Sequence, residues 1–313
     1  MFQRLERIKQ ELAEWGMSAF TRVETDYPAL DLRDKAVVLT GATSGIGEAC
    51  AHALARKGAQ LTLICRNRAK AERVKAEIAA ATQREVQLII ADLSVQAEVR
   101  RAAAEYLATD RPLHVLINNA GVLNATRKVT VDGIEETFAT NHLAYFLLTR
   151  LLLERIEASA PARIVNVSSW GHNQVEDIGF DDINGEREYA TFKIYGRSKL
   201  GNLLFTTELA RRLRGTQVTV NALHPGAVGT NLGTQNGARW SVPFAALKRV
   251  PSFLQTPEQG AATMLYVATA ASLEGVSGQY FVNCAQAEPQ AAAKDQASAE
   301  RLWTLSETLT GLA

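Results

Sequence analysis

Cysteine is scarce: the chain has three in 313 residues, Cys50, Cys65 and Cys284. An odd count without metal-ligand spacing supports neither a disulfide framework nor a metal site. Cys50 and Cys65 fall in apolar runs and read as small core residues. So few thiols fit a reducing compartment, and a cytoplasmic location is expected. Long apolar runs are also lacking. No stretch approaches the roughly 20 residues that a spanning helix needs, so no integral membrane segment is expected. The N-terminus has no signal-peptide h-region. An excess of charge is missing too, with 34 Lys and Arg against 33 Asp and Glu and a net charge of +1. That balance gives no reason to expect nucleic acid or an anionic membrane as partner. No internal repeat is visible.

Hydrophobic residues make up 47% and charged residues 21%, the balance of a soluble globular protein with a sizeable core. Phe2, Leu5, Ile8, Leu12 and Trp15 recur at spacings of three and four between charged residues. They predict an amphipathic helix that docks on the body of the protein or on a second subunit. From residue 36 strands and helices alternate. Strands are predicted at Ala36–Leu39, Leu61–Cys65, Val86–Ala91, Leu113–Ile117, Arg163–Val167 and Val218–Ala222. Helices are predicted up to about Lys57, near Ala69–Ala81, over about Val131–Glu157 and Tyr195–Arg214, and around Ala297–Leu309. This order predicts an α/β fold with a doubly wound parallel sheet of Rossmann type, covered by helices on both faces. The expected division is an N-terminal helical extension, 1–34, and a single catalytic domain, 35–313. Residues 230–256 mix prolines and glycines with Trp240, Phe244, Leu247 and Phe253, and read as a lid.

The candidate site residues fall at strand ends, where such folds bind ligands. Gly41, Thr43, Ser44, Gly45, Ile46 and Gly47 follow the first strand and open the first helix. Glycines there permit close backbone approach, and free N–H groups at the helix start face a pyrophosphate. The second strand ends in Ile64-Cys65-Arg66-Asn67-Arg68, without the acid that usually holds ribose hydroxyls for NAD. Arg66 instead suits a 2′-phosphate, so NADP is the expected cofactor. Asp92 and Leu93 end the third strand, where a carboxylate meets an adenine amino group. Tyr195 and Lys199, four residues apart, share a helix face. Alone the pair reads as a solvated surface. A cation held near a phenol, however, lowers its pKa and makes a proton donor and acceptor. His142, His172 and His224 read as structural, and Glu176, Asp177, Asp181 and Asp182 as a solvated loop.

Taken in order, Thr40–Gly47, Asp92-Leu93, Asn118-Asn119-Ala120-Gly121, Asn141, Ser168-Ser169, Tyr195-x-x-x-Lys199 and Pro225–Thr230 resemble the short-chain dehydrogenase/reductase family, over roughly residues 35–284. The wording of Arg163–Ser169, Arg197–Asn202 and Gly275–Phe281, with Leu302-Trp303 in the tail, is most similar to its retinol-dehydrogenase-like branch. The resemblance implies an oxidoreductase that interconverts a carbonyl and an alcohol on a hydrophobic small molecule. Tyr195 would be the general acid or base, Lys199 would lower its pKa and hold the nicotinamide ribose, and Ser169 would bond the substrate oxygen. Asn141 would hold a water linking Lys199 to solvent. Asn118, with Ala120 and Gly121, would brace the cofactor, and Pro225, Gly226, Val228 and Thr230 would hold the carboxamide. A homodimer or homotetramer is also compatible with the family. A reductase of C=C bonds, like protochlorophyllide reductase, and a non-catalytic NADP-binding regulator stand as alternatives. Tyr195 lies 26 residues after Ser169, about twice the family's usual gap. Residues 172–191 are therefore expected to loop out.

Overall fold

The computed structural model describes residues 28–228 and 255–313; the predicted amphipathic helix and most of the expected lid, Thr230 included, lie outside the described residues. Eight strands form one sheet: β1 (Ala36–Thr40), β2 (Gln60–Cys65), β3 (Val86–Ile90), β4 (Val115–Asn118), β5 (Ala162–Val167), β6 (Val218–His224), β7 (Tyr280–Val282) and β8 (Ala285–Ala287). Their order is β3-β2-β1-β4-β5-β6-β7-β8, parallel throughout except for β8, which runs antiparallel to β7. Strands covered on both faces are mostly apolar, and each residue of β1, β4, β5 and β6 is buried, including the polar Asn118 and Asn166, which bond to each other between β4 and β5.

Helices α1 (Gly45–Arg56), α2 (Arg68–Thr82) and α6 (Pro257–Thr269) cover one face. Leu54, Val74 and Met264 from these helices meet Val37 and Leu39 of β1 there. Helices α3 (Gln96–Leu107), α4 (Ala144–Ala158) and α5 (Thr191–Arg212) cover the other face, and α7 (Gln296–Thr310) lies outside α4 and α5. Val99, Phe146, Phe205 and Trp303 pack there with Val38 of β1. The alternation of β1 between the two clusters is the period-two geometry of a strand. The described end of the N-terminal extension is tied to α6: Leu30 N donates to Thr269 O at 2.6 Å, and Ala271 N donates to Pro28 O at 2.9 Å. Among the described residues no helix is long and apolar enough to cross a membrane.

Three local features differ from the sequence reading. The helix expected from Val131 begins only at Glu136, because Gly133 adopts φ +76° and Glu135 accepts from Phe138 N at 2.7 Å as an N-cap. Its first turn, Glu136–Phe138, runs through a π-turn at Ala139–Leu143 before α4. Helix α6 starts where the lid was expected to end, with a Thr256–Gln259 capping box and Pro257 in its first turn. The β7–β8 hairpin turns on Asn283 and Cys284, at φ +50° and +59°. A two-residue turn with both φ positive usually carries glycine, so the cysteine hid it.

Helix α7 lies across α4 and α5, the helices nearest the site. Trp303 is 5.0 Å from the Phe146 ring, the Arg212 guanidinium sits 4.0 Å above the Trp303 ring, and Arg150 pairs with Glu307 at 2.5 Å. Trp303 is buried, and truncating a large buried aromatic costs about 3–5 kcal/mol. Trp303→Ala is therefore expected to lower the urea midpoint without changing the slope of the transition. An unchanged midpoint would show that α7 contributes nothing to the fold's stability.

Candidate active site

The strand order reverses between β1 and β4, which opens a crevice beyond their carboxyl ends. The Gly-rich turn after β1 is pressed against the segment after β4. Gly41 has φ +70°, and a Cβ on it would lie 2.7 Å from Ala120 Cα; one on Gly47 would lie 2.3 Å from Gly41 O. Asn119 staples the two segments: its Nδ2 donates to Thr40 O at 2.8 Å and Gly41 O at 3.1 Å. The Thr40 hydroxyl accepts from Asn119 N and Ala120 N at 2.8 and 3.0 Å. The sequence reading gave Asn119 and Thr40 no separate role, because a backbone staple leaves no spacing signature. Asn118 points into the core, where Nδ2 donates to Thr149 Oγ1 at 3.0 Å and to Asn166 Oδ1 at 2.9 Å, joining β4 to β5 and α4.

The start of α1 suits an anion. Ser44 is its N-cap, but the serine side chain makes no capping bond, so it does not satisfy the free N–H groups of the first turn. Arg66, about half exposed, approaches Asp92 at 3.6 Å across the ends of β2 and β3. The other Asp92 oxygen accepts from Ser94 N and Oγ at 3.0 and 2.8 Å, and Leu93 is buried beside it. Beyond β6, Gly226 adopts φ +90° and Val228 pairs with Gln255. A Cβ on Gly260 would lie 2.4 Å from Val228 and 3.1 Å from Ile46, so this loop closes against the start of α1. Glu48, His52 and Glu77 also converge, but the Arg73 guanidinium bonds both carboxylates at 2.8 Å and already supplies the positive charge.

Tyr195 and Lys199 face the crevice from α5. Lys199, 3% exposed, donates to Val167 O at 3.0 Å. Its Nζ lies 5.7 Å from the Tyr195 ring centroid and 5.6 Å from that of Tyr145, whose hydroxyl donates to Ala120 O at 2.8 Å. Ser168 is structural: its hydroxyl donates to Lys199 O at 2.8 Å. Asn141 sits in the π-turn, a feature frequent at functional sites. Its Nδ2 donates to Val122 O and Ser198 Oγ at 3.0 Å each, and its Oδ1 accepts from Val122 N at 2.8 Å. Gly121 brings Asn141 and Lys199 together, since a Cβ there would lie 3.3 Å from Asn141 Oδ1 and 3.7 Å from Lys199 Nζ.

The insert loops out between Ser169 and Tyr195. Its acidic residues do more than face solvent: the Asp182 carboxylate accepts from the backbone N–H groups of Glu186, Arg187 and Glu188 at 2.7, 3.2 and 3.3 Å. The loop is folded back so that Gly171 lies between the two groups: a Cβ on it would come within 3.2 Å of two Tyr195 ring carbons and 3.5 Å of Ser169 Oγ. Burial raises the Tyr195 pKa, and the nearby Ser169 hydroxyl opposes that rise. The sequence reading had Lys199 lower the phenol's pKa, yet in the protein alone burial prevails, and it pushes Lys199 itself down to about 7. A partly exposed phenol beside a serine hydroxyl can exchange a proton with an oxygen placed against both. Of the other histidines, His142 and His224 are pushed by burial to about 4 and about 3 and stay neutral.

A lysine that is neutral when folded above about pH 7, yet charged when unfolded up to its ordinary value of 10.5, makes stability rise with pH across that window. The slope from this one proton is at most about 1.4 kcal/mol per pH unit. Urea unfolding at pH 7.5 and 9 is expected to show a smaller pH-dependent gain in Lys199→Met than in the parent. Equal gains would contradict the shifted lysine.

The chain matches the family model for short chain dehydrogenases over residues 35–239. It is 45% identical to mouse "Retinol dehydrogenase 12" over 280 residues, 89% of this chain and 87% of that protein. It is 43% identical to human "Retinol dehydrogenase 14" over 299 residues, 90% of this chain and 88% of that one. A solved structure from Mycobacterium paratuberculosis superposes with a TM-score of 0.73 at 33% identity, covering 91% of this chain and 96% of that chain. With its sheet order, Gly-rich turn and Tyr195–Lys199 pair in place, the chain belongs to the short-chain dehydrogenase/reductase family, in the retinol-dehydrogenase-like branch.

Proposed function

We propose that the protein is an NADP(H)-dependent oxidoreductase that interconverts a carbonyl and an alcohol on a hydrophobic, retinoid-like substrate. The observation that carries this reading is that Ser169, Tyr195 and Lys199 lie together at the crevice, with Gly171 between the first two and Lys199 Nζ 5.7 Å from the Tyr195 ring, despite the 26 residues between Ser169 and Tyr195. The relatives' names suggest the retinoid class. The cofactor supplies a hydride when bound. In the reduction direction Ser169 holds the carbonyl oxygen and Tyr195 gives it a proton; in oxidation Tyr195 takes that proton back. Lys199 lies behind Tyr195; poised near neutrality, it takes its charged form as the phenolate develops and stabilises it, and Asn141 holds the π-turn and Val122 around it.

The cofactor residues of this reading are Gly41, Thr43, Ser44, Gly45, Ile46 and Gly47 for the pyrophosphate, and Arg66 for the 2′-phosphate. Asp92 and Leu93 would hold the adenine; Ala120 and Gly121, braced from the core by Asn118, would hold the ribose side; Pro225, Gly226 and Val228 would hold the carboxamide, as would Thr230, which lies outside the described residues. The open first turn of α1 and the half-exposed Arg66 guanidinium fit such a ligand. The buried, reduced thiols of Cys50 and Cys65 support a cytoplasmic site of action.

Removing a general acid costs about 100- to 10,000-fold in rate. Tyr195→Phe is expected to lose turnover of retinal by that factor while still binding NADPH. Retained turnover would remove Tyr195 from the mechanism. A charge-assisted bond contributes about 1.5–3 kcal/mol, so Arg66→Ala is expected to weaken NADPH binding by about 10- to 150-fold and leave NADH binding nearly unchanged. Equal losses for both cofactors in a fluorescence titration would refute the phosphate anchor.

A further inference from the structure

His172 is buried and belongs to the short 3-10 turn Trp170–Gln174 that follows Ser169. Its Nδ1 lies 2.6 Å from Ser169 O. A carbonyl oxygen only accepts, so Nδ1 carries the hydrogen and donates it, which fixes the neutral tautomer. The other nitrogen, Nε2, is buried with no hydrogen-bond partner among the described residues. His172 N also donates to Ser169 O at 3.2 Å, and the Gln290 amide of the C-terminal segment bonds His172 O. The ring stands edge-on to Tyr280 of β7, with centroids 5.3 Å apart.

The turn held in this way lies directly against the proton donor. A Cβ on Gly171 would come within 3.2 Å of two Tyr195 ring carbons and 3.5 Å of Ser169 Oγ, and one on Gly196 would meet Gly171 O at 2.7 Å. Ser169 Oγ accepts from Gly171 N at 3.1 Å. The direction of the Ser169 hydroxyl therefore depends on the path of residues 169–172.

We infer that His172 is the positioning residue of this site: its Nδ1–H, bonded to the Ser169 carbonyl, clamps the turn so that Ser169 Oγ and the Tyr195 phenol meet at one substrate oxygen. The inference rests on the Ser169–Tyr195 reading above. Asparagine can place an amide N–H where Nδ1 stands, whereas glutamine reaches the position of Nε2.

The experiment measures kcat for NADPH-driven retinal reduction and NADPH affinity in the full chain and in His172→Ala, His172→Gln and His172→Asn. Misplacement of a reacting group costs up to about 100-fold. Ala and Gln are expected to lose about 10- to 100-fold in kcat with NADPH affinity unchanged, and Asn to remain within about threefold of the parent. Rescue by Gln as good as by Asn, or parental kcat in Ala, would overturn the inference. Nitrogen NMR of the unmutated, histidine-labelled protein reads the tautomer without relying on any variant's folding. A hydrogen on Nδ1 supports the clamp, and a hydrogen on Nε2 overturns it. Tyr195→Phe run in parallel separates the two levels: if that variant turns over normally, the proton-transfer reading fails, whereas loss in Tyr195→Phe beside a fully active His172→Ala removes only the clamp.

Discussion

A buried amine at the end of a β-strand organises this site. Lys199 is almost fully enclosed, bonds the last carbonyl of β5 and lies beneath two tyrosine rings. Burying an ammonium is costly, and the protein answers by lowering its pKa to about 7. The lysine is thus poised near neutrality, where a nearby anion or phenolate can favour its charged form. Every other part of the site is arranged around this position. Asn141 and Gly121 close one side, Ser168 holds the lysine's own carbonyl, and Tyr195 covers the crevice side.

The fold supplies rigidity where the chemistry needs it. The parallel sheet sets β1, β4, β5 and β6 side by side, so the Gly-rich turn, the Asn118–Gly121 segment, Ser169 and the Pro225 loop emerge at one edge. Bonds between side chains and backbone then fix each emerging segment: Asn119 to the Gly-rich turn, Asn141 to Val122, His172 to Ser169. Helix α7 backs the assembly from the far face. His142 within the π-turn meets Ser306 at 3.0 Å, so the last helix of the chain reaches the turn that carries Asn141.

Much of this was legible in the sequence because strand–helix alternation and glycines at strand ends are periodic, local signals. The centres of the six expected strands match β1 to β6, and the Ser169 turn does lie against the Tyr195 ring across the insert. Less visible were elements with weak local signals. The β7–β8 turn carries cysteine where glycine is usual, and α3 lacks a side-chain N-cap bond. Supporting residues escaped for another reason. Thr40, Asn119, Tyr145 and His172 act through backbone carbonyls and amides, and such bonds impose no spacing that can be read along a chain. The acidic insert read as solvated for the same reason, although Asp182 ties three successive backbone N–H groups. The electrostatics also needed three dimensions, because burial rather than the neighbouring charge decides the pKa direction at Tyr195.

The central claim is that a hydride reaches a carbonyl carbon while Tyr195 supplies the proton to the adjoining oxygen. Supplying NADPH deuterated at its transferable position, with retinal as substrate, and locating the label in the product by mass spectrometry tests that claim most directly. One deuterium on the carbinol carbon of the alcohol is the expected result. Deuterium on a former C=C carbon, or NADPH that binds and is never consumed, would contradict it.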